Sequence, residues 1–164
     1  MTTPDQRALR DALADTPTRL AAATAVLADP NVPSIPGEWS AREVTLHLAA
    51  VDEVVWQPRL DALIAQDFPH WPWVEPGLWS GQGDASFDGA LAAFSRLRAG
   101  TIARVDALDD DGWARRGLHA TYGELDVAAL LRIELDHDEE HLAQIFLACN
   151  VDGTGRFWKK VLQQ

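Results

Sequence analysis

Long segments of helical period, separated by turn-rich loops, run through most of the chain, and no stretch carries the alternation of a half-buried strand. That pattern confines the fold to the all-α class. The first helix is expected from about Asp5 to about Leu27, through Leu9, Leu13, Leu20 and Val26, with Pro17 breaking or bending it. Asp29-Pro30-Asn31-Val32-Pro33 ends it, because a proline biases its predecessor out of the helical region.

The second helix has a clear start. Ser40-Ala41-Arg42-Glu43 reads as a capping box, with Trp39 placed to staple onto Val44. The helix continues toward Ile64, and Pro58 should kink it or mark a local break. Asp67 to Gly83 is a loop of Pro, Gly and Trp (Trp71, Trp73, Trp79), too long for a mere connector; it either walls an apolar site or caps the core. A third helix starts near Asp84 or Ser86, passes through Leu91, Phe94, Leu97, Ile102 and Val105 with Gly100 inside it, and stops at Asp109-Asp110-Asp111-Gly112. The last helix spans about Glu124 to Asn150, before a short tail with Trp158. Four long helices with one long crossover, between the second and third, fit a four-helix bundle in a single domain over residues 1–164.

Metal sites in such bundles are built from side chains projecting inward from facing helices. With each residue of the last helix placed 100° from the one before and His137 at zero, His141 falls at about 40°, Leu130 at about 20° and Ile145 at about 80°. Both histidines therefore lie in the apolar arc. Glu134 at about 60° and Asp138 at about 100° share it. On the second helix His47 keeps company with Val44, Val51, Val54 and Val55, again on the inner face. Histidines four apart can chelate one ion, and an imidazole from a facing helix completes a set of three nitrogens with a position left open. A lone inward histidine such as His47 is more often a hydrogen-bonded core residue than a ligand. His70 and His119 lack periodic placement and read as surface or loop residues.

Charge narrows the partners. With 25 acidic residues against 14 basic and a net charge of −11, the chain repels nucleic acid and anionic membranes. It also lacks a basic run, a phosphate-cradling Gly-rich loop and a G-x-S-x-G element. Met1 to Arg10 is polar, without a signal-peptide core, so a cytoplasmic location is expected. The single cysteine, Cys149, sits in an apolar stretch and reads as core packing.

Two stretches carry a resemblance. Gly37-Glu38-Trp39-Ser40-Ala41-Arg42-Glu43-Val44-Thr45-Leu46-His47-Leu48 and His137-Asp138-Glu139-Glu140-His141-Leu142-Ala143-Gln144-Ile145, with Gly123-Glu124-Leu125 between them, resemble the DinB-like superfamily of metal-binding four-helix bundles. Within it the likeness is to the branch of bacillithiol- and mycothiol-dependent S-transferases, and it covers about residues 5–150. The resemblance implies a divalent ion, zinc or nickel, on His47, His137 and His141, a bundle with a long crossover, and frequent dimers. It implies an enzyme that transfers thiols, with a low-molecular-weight thiol as co-substrate and a small-molecule substrate. A metal-dependent hydrolase, or a metal- or ligand-binding module without turnover, remains the alternative. Glu134, Asp138 and Gln144 are candidates to accept the second imidazole N–H or to act as base, unless the carboxylates are simply exposed.

Trp56, Leu60 and Leu63 fall on the face of the second helix turned away from His47, at about 180°, −140° and 160°. Such a strip either packs under the chain's own first helix or loop, or forms the face of a homodimer. The dimer is the expectation.

Overall fold

The computed structural model describes residues 3–74 and 85–149. In chain order the elements are α1 (Pro4–Thr24), α2 (Ala41–Val51), a π-turn (Asp52–Trp56), α3 (Gln57–Ala65), β1 (His70–Trp71), α4 (Phe87–Asp106), α5 (Asp110–Trp113), β2 (Arg116–His119), β3 (Gly123–Asp126) and α6 (Val127–Cys149). The bundle consists of α1, the continuous α2–π–α3 rod, α4 and α6, with α1 packed on α6 and α4, and α2 on α4. Trp79, Trp158 and the side chain of Cys149 lie outside the described residues.

The helix starts follow from their caps. Ser40 Oγ accepts from Glu43 N–H at 3.2 Å while Glu43 Oε2 accepts from Ser40 N–H at 2.8 Å, the reciprocal capping box read from the sequence. Thr3 and Gln6 make another at α1. The last helix starts at Val127 rather than Glu124, because residues 123–126 are used in β3 and Asp126 accepts from Ala129 N–H at 2.8 Å.

Pro17 neither breaks nor ends α1. Its missing N–H leaves the Leu13 carbonyl without the usual partner four residues on, and the buried Arg98 guanidinium donates to that carbonyl at 3.3 Å. A proline inside the helix is thus matched by a donor from α4.

Pro58 marks a local change of winding, the π-turn, whose last bond runs from Gln57 N–H to the Asp52 carbonyl. An i→i+5 turn inserts one residue and rotates everything after it back by roughly 100°. Trp56, Leu60 and Leu63 then fall at about 80°, 120° and 60° from His47, on the inner face. They are 5 %, 1 % and 0 % exposed and belong to the apolar core of this chain. This corrects the expected dimer face: the outward strip does not exist.

A small sheet also departs from the sequence pattern. β1 pairs parallel with β2, and β2 antiparallel with β3, with Leu118 opposite both His70 and Glu124. Strands of two to four residues are too short for a period of two to show.

The core is in two parts. Leu9, Leu13, Ile102, Val105, Leu130 and Leu131 belong to one cluster; Leu20, Val44, Phe94, Leu142 and Ile145 belong to the other. Between them along each helix lie Thr16, Asp52, Arg98, Glu134 and Asp138, all buried. A polar layer crosses the bundle at mid-height.

Candidate functional site

His47 on α2 and His137 and His141 on α6 converge at the edge of this layer. One nitrogen from each lies within 4.8 Å of the others, and the Nε2 atoms of His47 and His137 are 3.3 Å apart. Burial, reinforced by the neighbouring His141 and His47, pushes His137 down to about 3, so it is a neutral imidazole with a free lone pair. Gln144 Oε1 lies 3.1 Å from His141 Nδ1 and accepts its proton, which leaves Nε2 bare. That is the orienting contact expected of Gln144. The capping box sets Trp39 just ahead of α2, where its ring stacks on His141 at 6.3 Å and leans on His47 at 5.0 Å.

Glu134 and Asp138 are buried, as the helix wheel requires, but the partner they share is Arg98 rather than an imidazole. Arg98 Nη1 donates to Asp138 at 2.5 Å, its Nε and Nη2 grip Asp52 at 3.1 and 2.9 Å, and Glu134 Oε1 stands 3.3 Å from Nη2. Burial raises the Glu134 carboxyl well above the usual range, and a single guanidinium already shared by two aspartates does not reverse it. Asp52 moves in the same direction for the same cause. The reading of Glu134 and Asp138 as imidazole partners or bases is corrected accordingly, as is the alternative of exposed carboxylates.

The three histidines face a cavity of about 740 Å³ that is also lined by Val51, Val55, Trp56, Arg59, Trp73 and Tyr122. From α6 it receives Ile133, Asp136 and Glu140, at about −40°, −100° and −60° from His137. The cavity thus lies to one side of the core stripe, with the histidines on the border between them. Of the described loop tryptophans, Trp73 lines the cavity and Trp71 packs on the core.

The sequence profile of the DinB superfamily matches residues 8–145. The chain belongs to the DinB superfamily. Among solved structures, this DinB chain is similar to YfiT from Bacillus subtilis, described as a probable metal-dependent hydrolase with an unusual four-helix bundle topology. The two share 20 % identity and a TM-score of 0.71 over 90 % of this chain and 87 % of the other, a likeness of fold. No curated protein matches in sequence. No helix among the described residues is long and apolar enough to cross a membrane.

Sequence reasoning missed the cavity side of this DinB fold. Asp136, exposed on α6, lines the cavity. Arg59 reaches it because the π-turn swings it from about 120° to about 20° from His47. His119 was read as a surface or loop residue; it is buried on β2, and its Nδ1 accepts from the Thr121 and Tyr122 N–H groups at 3.0 and 3.3 Å. Burial, with Arg59 nearby, pushes it downward. His70 is exposed on β1.

Proposed function

We propose that the chain is a metal-dependent enzyme in which His47, His137 and His141 hold one divalent ion, zinc or nickel, and a thiol or water is the nucleophile. The observation that carries this reading is the trio of imidazole nitrogens within 4.8 Å of one another on the wall of a cavity. Three neutral nitrogens suit a borderline ion, and a site open on the cavity side leaves room for a further ligand, the arrangement of catalytic rather than structural centres. The histidines fit the group also in their protonation: His137 stays neutral far below physiological pH, and Gln144 holds His141 in the tautomer that presents Nε2.

A bound divalent ion supplies a lowered pKa to a thiol or water beside it. The chain's residues do the rest. Trp39, stacked on His141, shields one side of the imidazoles. Asp136 and Glu140 are the carboxylates of the cavity and stand where a proton released from the nucleophile can be taken up. Transfer of a low-molecular-weight thiol is the reading favoured by the W-S-x-x-E-V-x-x-H and H-D-x-x-H-x-x-Q-I stretches. Hydrolysis is favoured by the description of YfiT. Both use the same centre.

The test is metal content after gel filtration, followed by turnover. His47→Ala, His137→Ala and His141→Ala should each lose most of the bound metal, while His70→Ala keeps it. Equal metal content in all four variants would overturn the assignment. Metal-loaded protein is then offered electrophiles with bacillithiol, mycothiol, glutathione or no thiol. Product only with a thiol marks transfer, product without one marks hydrolysis, and metal binding with neither marks a binding module.

A further inference from the structure

Among the described residues Arg59 is a buried cation without a buried anion. The ion-paired arginines of the described residues, Arg10, Arg19, Arg98, Arg104 and Arg116, each meet a carboxylate. Arg59 is 6 % exposed and has no such partner among the described residues, in a chain with 25 acidic residues to 14 basic. Its Nη2 donates to the Pro72 carbonyl at 3.1 Å, and its Cζ lies over the Trp56 ring, 5.6 Å from the centre. A guanidinium has five N–H groups, so the described residues leave most of its donor capacity unused.

Its position says what would use it. Arg59 lines the same cavity as the three histidines, and Trp56 borders both, its ring 6.3 Å from that of His137 and beneath the Arg59 guanidinium. Among the lining residues Arg59 is the lysine or arginine, whereas α6 contributes Asp136 and Glu140, which turn an anion away from their wall. Burial disfavours the Arg59 charge and lowers its pKa, a penalty that an incoming anion relieves.

We propose that Arg59 binds a carboxylate on the small molecule whose reacting end lies at the His47–His137–His141 centre, in the same cavity and across the same Trp56 neighbour. The planar fork of the guanidinium matches a carboxylate in two parallel bonds. This rests on the reading of the histidines as the reacting centre. It narrows the substrate or co-substrate to acids of modest length.

The test is calorimetric titration of cobalt-loaded and metal-free protein with ω-mercaptocarboxylates of three to six carbons and the matching ω-mercapto-alcohols. In wild type the best carboxylate should bind about tenfold or more tighter than its alcohol, as charge-assisted pairing in a desolvated site allows. Arg59→Met should abolish that preference without weakening the alcohol, and Arg59→Lys should keep part of it. No preference in wild type, or one that survives Arg59→Met, would overturn the proposal; if Arg59→Met does not fold, an Arg59→Lys preference equal to wild type overturns the bidentate match. The histidine reading is scored separately, by thiolate-to-cobalt absorption. If that never appears, the metal reading fails, and the carboxylate preference of the metal-free protein alone decides for or against Arg59.

Discussion

Glu134 competes with two aspartates for one guanidinium and is held as the neutral acid. A carboxyl whose pKa is raised in the folded state binds more protons folded than unfolded. Its contribution is fully present below the ordinary glutamate pKa of about 4.3 and is lost as the pH rises through the folded value. Glu134→Gln, a neutral isostere, should therefore gain on wild type as the pH rises from 5 to 8, by up to about 1.4 kcal/mol per pH unit until Glu134 ionises. Urea unfolding at both pH values measures this, and parallel pH slopes for the two proteins would refute it. At this scale the sequence shows a great deal: an i, i+4 histidine pair and acids in an apolar arc are visible as spacing. What spacing does not show is partner choice. Glu134 and Asp138 could face an imidazole or a cation, and the decision rests with Arg98, forty residues before Asp138 and on another helix.

The α2–π–α3 rod explains why Arg59 and the buried trio of Trp56, Leu60 and Leu63 were not legible. A wheel assumes one winding, and the π-turn before Pro58 breaks that assumption by a single residue. Removing one residue from within this turn should restore α winding without changing the phase on either side. Deletion of Val54, which is exposed, combined with Pro58→Ala to supply the missing N–H, should leave a cooperatively folded protein within about 3 kcal/mol of wild type. Deletion of Ala49 from α2 rotates the rest of the rod by roughly 100° and should abolish the cooperative transition. Similar denaturation of the two deletions, followed by circular dichroism, would show that the turn carries no such insertion. The α2 cap, by contrast, was legible, since Ser40 and Glu43 act over three residues, whereas the Thr3 box of α1 and the Asp126 cap of α6 were not read. The sheet was not, because β1 finds β2 only after the intervening α4 and α5. Gly117 shows how close that pairing is: a Cβ there would stand 2.4 Å from the Trp71 ring. Gly117→Ala should push β1 from β2 and cost on the order of 1–3 kcal/mol in thermal unfolding. An unchanged melting curve would mean the sheet end yields freely.

Over the whole molecule, the polar layer separates two apolar cores and fixes how the four rods sit against one another lengthwise. Each rod contributes one part: the Leu13 carbonyl freed by Pro17 on α1, Asp52 in the π-turn, Arg98 on α4, and Glu134 and Asp138 on α6. Sliding any rod by a turn would leave a buried charge or carbonyl unmatched, so the layer specifies register even where it adds little net stability. The two roles separate by mutation. Arg98→Met alone strands two aspartates and the Leu13 carbonyl and should cost about 3–5 kcal/mol. Arg98→Met combined with Asp52→Leu, Glu134→Leu, Asp138→Leu and Pro17→Ala removes every stranded group, the last change giving Leu13 back an intrahelical donor. That variant should regain most of the loss and could exceed wild type, since apolar replacements of buried ion pairs are often neutral or stabilising. If the five-fold variant is no more stable in urea than Arg98→Met, the layer holds the bundle together by its own attraction, and registry is not its main contribution. If it is stable but binds metal with reduced stoichiometry, the layer's work lies in aligning α2 with α6 so that His47 meets His137 and His141.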